Sequence, residues 1–182
     1  AIALMEPAWY PKPRDVLRKG RVVVFLLDVS RSMLAEDIRP SRLERARLAI
    51  RDAAAVVEGD RIGLVTFAGS ASVRCPLTHD YSFFRMVLEE VSTESTLVGG
   101  TLVGDAIRTA VDKLFDADAD QDRFRDIVLI TDGEDHESFP DQAAARAAEA
   151  GVRIIAIGLG DRDSGARIPI AKRPNSEPVY LK

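Results

Sequence analysis

The chain has 182 residues, of which 46% are hydrophobic and 30% are charged, and its formal net charge is −4. This composition is that of one ordinary globular domain with enough length to bury a sizeable core. The negative balance, without any block of Lys or Arg, disfavours nucleic acid as a partner. A single cysteine, Cys75, excludes an internal disulfide, and no apolar run approaches the roughly 18 residues that would cross a bilayer.

The first twenty residues lack the pattern of a helix or a strand. Three prolines interrupt them, and each proline removes a backbone donor and restrains the residue before it. The pair Trp9-Tyr10 is typical of a membrane interface. Residues 1–20 are therefore expected to be an irregular lead-in or a juxtamembrane segment, and a single domain is predicted over residues 21–182.

Short apolar runs and helical repeats alternate along the remaining chain. Strands are predicted at 22–27, 61–67, 71–77, 125–131 and 152–159, and helices at 41–58, 81–91, 101–114 and 141–150. Only a short Gly69-Ser70 turn separates the second and third strands, which predicts an antiparallel hairpin. The alternation elsewhere predicts an α/β domain with a three-layer, doubly wound (Rossmann-like), mostly parallel sheet and one antiparallel edge strand. Residues 166–182 are expected to form a terminal hairpin.

Three polar motifs lie where predicted buried strands end or a predicted helix begins. They are Asp28-Val29-Ser30-Arg31-Ser32, Gly99-Gly100-Thr101 and Thr131-Asp132-Gly133. Loops at the carboxyl ends of parallel strands meet at one edge of the sheet, and ligands bind there. The predicted ligands of a metal ion at this edge are oxygen donors, with no His or Cys among them: Asp28, Ser30, Ser32, Thr101 and Asp132. Such hard donors favour Mg²⁺, with Mn²⁺ and Ca²⁺ as alternatives.

The predicted donor set also indicates what a metal ion would do there. Three of the five donors are neutral hydroxyls, so a divalent ion among them keeps part of its charge and attracts an external anion. Magnesium retains water readily, so the site can leave one octahedral position for a partner. We expect that position to take the carboxylate of an Asp or Glu from another protein.

These motifs resemble the metal-ion-dependent adhesion site, or MIDAS, of von Willebrand factor type A (VWA) domains, over about residues 20–160. The resemblance implies a VWA fold. It also implies that the hydroxyls of Ser30, Ser32 and Thr101 contact the ion, and that Asp28 and Asp132 bind it directly or through water. An acidic side chain of a partner would complete the shell. The family's domain ends in a helix that has no counterpart here, so this chain is expected to lack its last helix.

A narrower resemblance is to the bacterial Bat (aerotolerance-type) membrane proteins. It is carried by residues 28–44, 59–65, 75–78 and 131–137. The resemblance implies a non-enzymatic interaction domain of a membrane-anchored protein at the bacterial cell membrane, on a side that the sequence does not define. It also implies, as partners, a MoxR-type AAA+ ATPase and other VWA proteins.

Two other functions stay open from the residues alone. A Mg²⁺-dependent phosphotransferase or phosphatase would use Asp28 as its nucleophile. Ser30, however, occupies the position two residues on where such enzymes place a general acid. A metal-free scaffold would instead use the same three motifs as helix caps and turns.

The surroundings of the predicted site are rich in acidic residues. A cluster near it is expected from Asp126, Glu134, Asp135, His136 and Glu137. Of these, only Glu134 and Asp135, which adjoin Asp132, are expected to adjust the field at the ion. The other three are expected to be solvated loop residues. Partner contacts are expected from the loops 33–39, 91–100 and 133–139, because loops at the edge of a rigid sheet commonly carry binding residues.

Overall fold

The computed structural model describes residues 20–57, 59–93, 100–116, 123–133, 135 and 138–160, together with the backbone of residues 169–171 and 179–180. Residues 1–19 of the expected lead-in (1–20), most of the loop 91–100, and Glu134, His136 and Glu137 lie outside these residues. The strands of the main sheet are β1 (Arg21–Asp28), β2 (Arg61–Phe67), β3 (Ala71–Thr78), β4 (Phe124–Thr131) and β5 (Val152–Gly158). The helices are α1 (Arg42–Val56), α2 (Tyr81–Glu90), α3 (Val103–Ala110) and α4 (Pro140–Glu149).

Two short helical segments and one strand pair complete the described elements. A 3₁₀ turn (Arg31–Leu34) follows β1, and a π-helical turn (Val111–Phe115) extends α3. Near the end of the chain, β6 (Pro169–Ala171) and β7 (Val179–Tyr180) pair antiparallel. No helix in the described ranges is both long and apolar enough to cross a membrane.

The sheet has the strand order β3-β2-β1-β4-β5. β1 pairs in parallel with β2 on one side and β4 on the other, and β4 pairs in parallel with β5. β3 pairs antiparallel with β2 at one edge, so the predicted doubly wound sheet with one antiparallel edge strand is confirmed. The chain order reverses between β1 and β4. In open α/β sheets the crevice at such a reversal, outside the carboxyl ends of the strands, is the usual ligand site.

Side chains of β1 alternate between two apolar clusters, one on each face of the sheet. One face packs against α1 and α2 through Val23, Phe25 and Leu27. The opposite face carries Val22, Val24 and Leu26, which pack with residues of α3 and α4. Because β1 is buried on both faces, its carboxyl end is held rigidly at the centre of the molecule. Truncating a residue such as Leu26 to Ala would cost about 2–5 kcal/mol of stability.

The helices begin where side chains satisfy their first N–H groups. Ser41 caps α1 by accepting a hydrogen bond from the Glu44 N–H, and Asp80 caps α2 in the same way. The predicted start of α3 at Thr101 is two residues early, because the helix begins at Val103 and Leu102 provides no side-chain cap. The free N–H groups at the start of α3 are satisfied by residues from another loop.

Candidate metal centre

Asp28 ends β1 with a fully buried side chain. Its Oδ1 accepts a hydrogen bond from the Ser30 N–H at 2.8 Å, and its Oδ2 accepts one from the Thr131 hydroxyl at 2.7 Å. Burial raises the pKa of Asp28, and the nearby charge of Asp132 raises it further, although these hydrogen bonds oppose the shift. A cation beside Asp28 would favour the charged carboxylate.

Ser30 and Ser32 present neighbouring hydroxyls directly after β1. Their Oγ atoms lie 2.8 Å apart. The 3₁₀ turn fixes this spacing, since the Met33 N–H donates to the Ser30 carbonyl and the Met33 side chain is buried in the core. Two hydroxyl oxygens are thereby held side by side next to the Asp28 carboxylate.

Thr101 is also buried, and backbone bonds bring its segment to the same end of the sheet. The Leu102 N–H donates to the Ala68 carbonyl at 2.8 Å, immediately beyond β2. The neighbouring Phe67 carbonyl accepts from the Val29 N–H, also at 2.8 Å. The segments that carry Thr101 and the two serines are thus both tied to the carboxyl end of β2.

Asp132 follows β4, and its side chain is only 2% exposed. Its Oδ2 accepts a hydrogen bond from Nη1 of Arg42 at 3.0 Å. Its Oδ1 is buried and has no hydrogen-bond partner among the residues that the structure describes. A buried carboxylate oxygen without a partner is costly, and a metal ion at this edge would satisfy it. The residues present therefore fit a bound cation.

Arg42, the first residue of α1, is a member of this centre that the sequence patterns did not indicate. Its guanidinium donates to both oxygens of Asp37, with Nε–Oδ1 and Nη2–Oδ2 distances of 2.9 Å, as well as to Asp132. Hydrogen bonding to Asp37 is the main cause that raises the pKa of Arg42. Because Asp132 is 90 residues away along the chain, no local signal marks this contact.

Thr131 is a second residue whose role was not predicted. Its hydroxyl donates to Asp28 and accepts a hydrogen bond from the Gly133 N–H at 3.2 Å. The side chain thus joins the end of β1 to the turn that follows β4. Its position immediately before Asp132 is the signal that could have suggested an orienting role.

Comparison with known proteins assigns the family. The family model for the von Willebrand factor type A domain matches residues 23–134, which is more than half of the chain. The chain belongs to this family. VWA domains generally mediate protein–protein interactions.

Two solved bacterial structures resemble this VWA domain closely. One is BatB from Bacteroides thetaiotaomicron, with 34% identity and a TM-score of 0.79 over 90% of this chain and 80% of that chain. The other is an aerotolerance-related membrane protein from Bacteroides fragilis, with 36% identity and a TM-score of 0.77 over 90% and 82% of the two chains. The resemblance to Bat-type proteins is thereby confirmed.

More distant comparisons show the fold and the extent of the match. Proximal thread matrix protein 1 from the mussel byssus shares 22% identity and a TM-score of 0.68 over 79% of this chain and 37% of that chain. That protein has a MIDAS occupied by zinc, and at this identity the likeness shows the fold alone. The chain spans 47% and 36% of the lengths of the first two curated relatives that it matches, at 34% and 31% identity.

The prediction that Asp126 belongs to an acidic cluster near the site of this VWA domain was wrong. Asp126 lies near the amino end of β4, roughly 20 Å along the chain from Asp132, and pairs with Arg21 and Arg153. Asp135 uses its carboxylate in hydrogen bonds to Val103 and Ser138. In the described part of the chain, no group of three or more His, Cys, Asp or Glu side chains is arranged to hold a metal, so the candidate centre depends on its hydroxyls.

Proposed function

We propose that this VWA domain is a non-enzymatic, metal-dependent protein-interaction module of the MIDAS type. In this proposal five side chains hold a divalent cation at the carboxyl end of the sheet: Asp28, Ser30, Ser32, Thr101 and Asp132. The observation that carries it is the buried Oδ1 of Asp132, which lacks a partner among the described residues while Arg42 holds the other oxygen.

The charge balance supports a divalent ion. Asp28, Asp37 and Asp132 carry three negative charges when ionised, and Arg42 carries one positive charge. These four side chains therefore leave two negative charges, which favour a divalent cation over a monovalent one. Isolated buried charges are strongly unfavourable, so the ion would stabilise the fold as well as the site.

The donor chemistry supports Mg²⁺ as the resident ion, with Mn²⁺ and Ca²⁺ as alternatives. Carboxylate and hydroxyl oxygens are the hard ligands that Mg²⁺ prefers, and the donor set holds no imidazole or thiolate for a softer metal. Once bound, the ion would act as an electrophilic contact for an oxygen of a partner. A carboxylate from an Asp or Glu side chain supplies that oxygen together with the opposite charge.

The similarity to Bat-type proteins supports a wider proposal for the whole protein. The Bacteroides fragilis relative is a membrane protein, and we place the present domain on a membrane-anchored protein at the bacterial cell membrane. Its proposed partners are a MoxR-type AAA+ ATPase and other VWA proteins. The metal centre would engage an acidic side chain of one of them.

A phosphotransferase or phosphatase fits the site less well. A nucleophilic Asp28 would need an oxygen accessible to a phosphate ester. Its side chain is fully buried, and both of its oxygens already accept hydrogen bonds. Ser30 also stands where a general acid would be required.

The proposal is tested by titrating Mg²⁺, Mn²⁺ and Ca²⁺ into metal-stripped protein by calorimetry. Wild type is compared with Asp132→Asn and with Asp126→Asn, which changes a buried carboxylate of β4 at the other end of the sheet. We expect saturable one-site binding that Asp132→Asn loses and Asp126→Asn retains. Equal binding by all three proteins would show that Asp132 is not a ligand and would refute this centre. Absence of binding by wild type would favour a metal-free scaffold.

Partner recognition is tested next with the same proteins. The domain is immobilised and the soluble part of the cognate ATPase, or of a second VWA protein, is applied with Mg²⁺ or with a chelator. Binding should require both Mg²⁺ and Asp132. Capture that survives the chelator would show that the partner does not use the ion.

A further inference from the structure

A set of contacts that we name the α3 clamp joins the segments carrying Thr101 and Asp132. It consists of Asp135 and Ser138 on one side and the backbone of Val103 and Gly104 on the other. Oδ1 of Asp135 accepts from the Val103 N–H at 3.0 Å, and Oγ of Ser138 accepts from the Gly104 N–H at 2.7 Å. The Ser138 hydroxyl in turn donates to Oδ1 of Asp135, and the Ser138 N–H donates to its Oδ2 at 3.2 Å.

The clamp replaces the cap that α3 lacks. The first N–H groups of a helix need acceptors, and a side chain just before the helix commonly supplies one. Leu102 occupies that position and makes no such bond. The acceptors for Val103 and Gly104 therefore come from residues more than thirty positions later in the chain.

Steric fit reinforces this arrangement. A Cβ at Gly104 would lie 2.1 Å from the Ser138 carbonyl oxygen, a distance that no packing tolerates, so only glycine allows the two segments to approach this closely. The same carbonyl accepts a hydrogen bond from Nη2 of Arg108 at 2.8 Å. Ser138 itself is buried, so its bonds to α3 are protected from water.

The residues of the α3 clamp follow two of the proposed metal ligands closely along the chain. Thr101 precedes Val103 by two residues, and Asp132 precedes Asp135 by three. Thr101 is also anchored through Leu102 to Ala68, and Asp132 is anchored to Arg42. Those anchors hold each ligand to a different part of the fold, whereas the clamp connects the two ligand segments to each other.

We infer that Asp135 and Ser138 are positioning residues that set the spacing between Thr101 and Asp132, and thereby the affinity for the cation. This inference rests on the proposed metal centre. Neither residue needs to touch the ion. Groups that orient metal ligands from outside typically change metal affinity by about 10–100-fold when they are removed.

A purely structural role would give a different result, because Asp135 could act only as a helix cap. Asp80 provides the matched control. It accepts from the N–H groups of Ser82 and Phe83 at the start of α2, which packs on the other face of the sheet. Asp80→Ala therefore removes a helix-cap carboxylate without altering either ligand segment.

The experiment measures the dissociation constant of Mg²⁺ by calorimetry, well below the melting temperature of every variant. We expect Asp135→Ala and Ser138→Ala to weaken binding about tenfold or more, while Asp80→Ala changes it less than about twofold. Asp135→Asn keeps an acceptor for the Val103 N–H and should recover most of the affinity. It also remains informative if Asp135→Ala does not fold.

The outcomes separate this inference from the proposed function. If Asp135→Ala and Ser138→Ala bound Mg²⁺ with the dissociation constant of wild type, the positioning role would be overturned and the metal centre would stand. Equal weakening by Asp80→Ala would also overturn it, because affinity would then follow overall stability. Absence of Mg²⁺ binding by wild type would overturn the metal centre and the inference together.

Discussion

The two ends of β4 each carry a buried carboxylate, but the two are satisfied differently. Near the amino end, Oδ1 of Asp126 lies 2.8 Å from Nε of Arg153, and its Oδ2 lies 3.3 Å from Nε of Arg21. Just beyond the carboxyl end, Asp132 has one oxygen on Arg42 and the other without a partner in the described structure. A carboxylate with both oxygens paired is fully satisfied, whereas one with an unpaired oxygen has room for a further donor or a cation.

The exposure of the arginines adds to this contrast. The side chains of Arg21 and Arg153 are 44% and 61% exposed, so water screens their ion pairs. The Arg42 side chain is 13% exposed and its two carboxylate partners are 6% and 2% exposed. The charged groups at the carboxyl end of β4 are therefore buried at a cost in stability, as is common at binding sites.

The largest expected effect comes from breaking the buried pairing. Arg42→Met removes the guanidinium from two buried carboxylates and should lower the free energy of unfolding by about 3–5 kcal/mol. Arg153→Met removes an exposed guanidinium and leaves the buried Asp126 paired with Arg21, so it should lower the free energy of unfolding by less than about 1 kcal/mol. Urea unfolding of both variants without metal measures the difference, and similar losses would remove the distinction between the two ends.

The next effect is stabilisation of the carboxyl end by the ion. At a concentration of about one hundred times its dissociation constant, Mg²⁺ should stabilise the wild type by about 2.7 kcal/mol. For a chain of this size that corresponds to a rise in melting temperature of roughly 5–10 °C. Calorimetric melting should show the same rise for Asp126→Asn and none for Asp132→Asn.

Asp28→Asn should separate stability from binding. Burial raises the pKa of Asp28 in the folded protein above its pKa in the unfolded chain. The protonated side chain therefore stabilises the fold at low pH. That contribution is lost as the pH rises from the unfolded pKa through the folded pKa. Without metal, the variant should melt above wild type at pH 7 and lose this advantage at acid pH, while Mg²⁺ should no longer raise its melting temperature. A lower melting temperature at pH 7 would show that the carboxylate is needed for the fold itself.

The smallest effect concerns two exposed phenylalanines, one that begins β4 and one that precedes α4. Phe139 has φ 52° and is 62% exposed, whereas Phe124 is 60% exposed and lies at the first position of β4. Because Asn tolerates the left-handed conformation, Phe139→Asn should raise the free energy of unfolding by about 0.5–1 kcal/mol. Phe124→Asn should lower it by about 0.5 kcal/mol, since Asn is unfavourable in strands. A urea unfolding curve of Phe139→Asn that shifts to lower urea, as expected for Phe124→Asn, would contradict backbone strain at Phe139.

The sequence predicted more of the sheet than of the contacts around the site. The run 22–27 predicted β1 to within one residue at each end, since β-branched and apolar residues without interruption are typical of strands buried on both faces. The start of α3 was predicted two residues early because its cap comes from Asp135 and Ser138. The metal-ligand roles of the five predicted site residues remain predictions that the titrations above would test.

By itself, the sequence determined the sheet and the place where its three polar motifs meet. Apolar periodicity specifies strands and helices locally, and parallel strands necessarily bring their carboxyl ends to one edge. Only the tertiary structure decided the pairing of Arg42 with Asp132, the capping of α3 and the distant position of Asp126. These contacts join residues 90, 32 and 27 positions apart. These contacts form only when the helices and strands pack together, so no pattern within a short stretch of sequence predicts them.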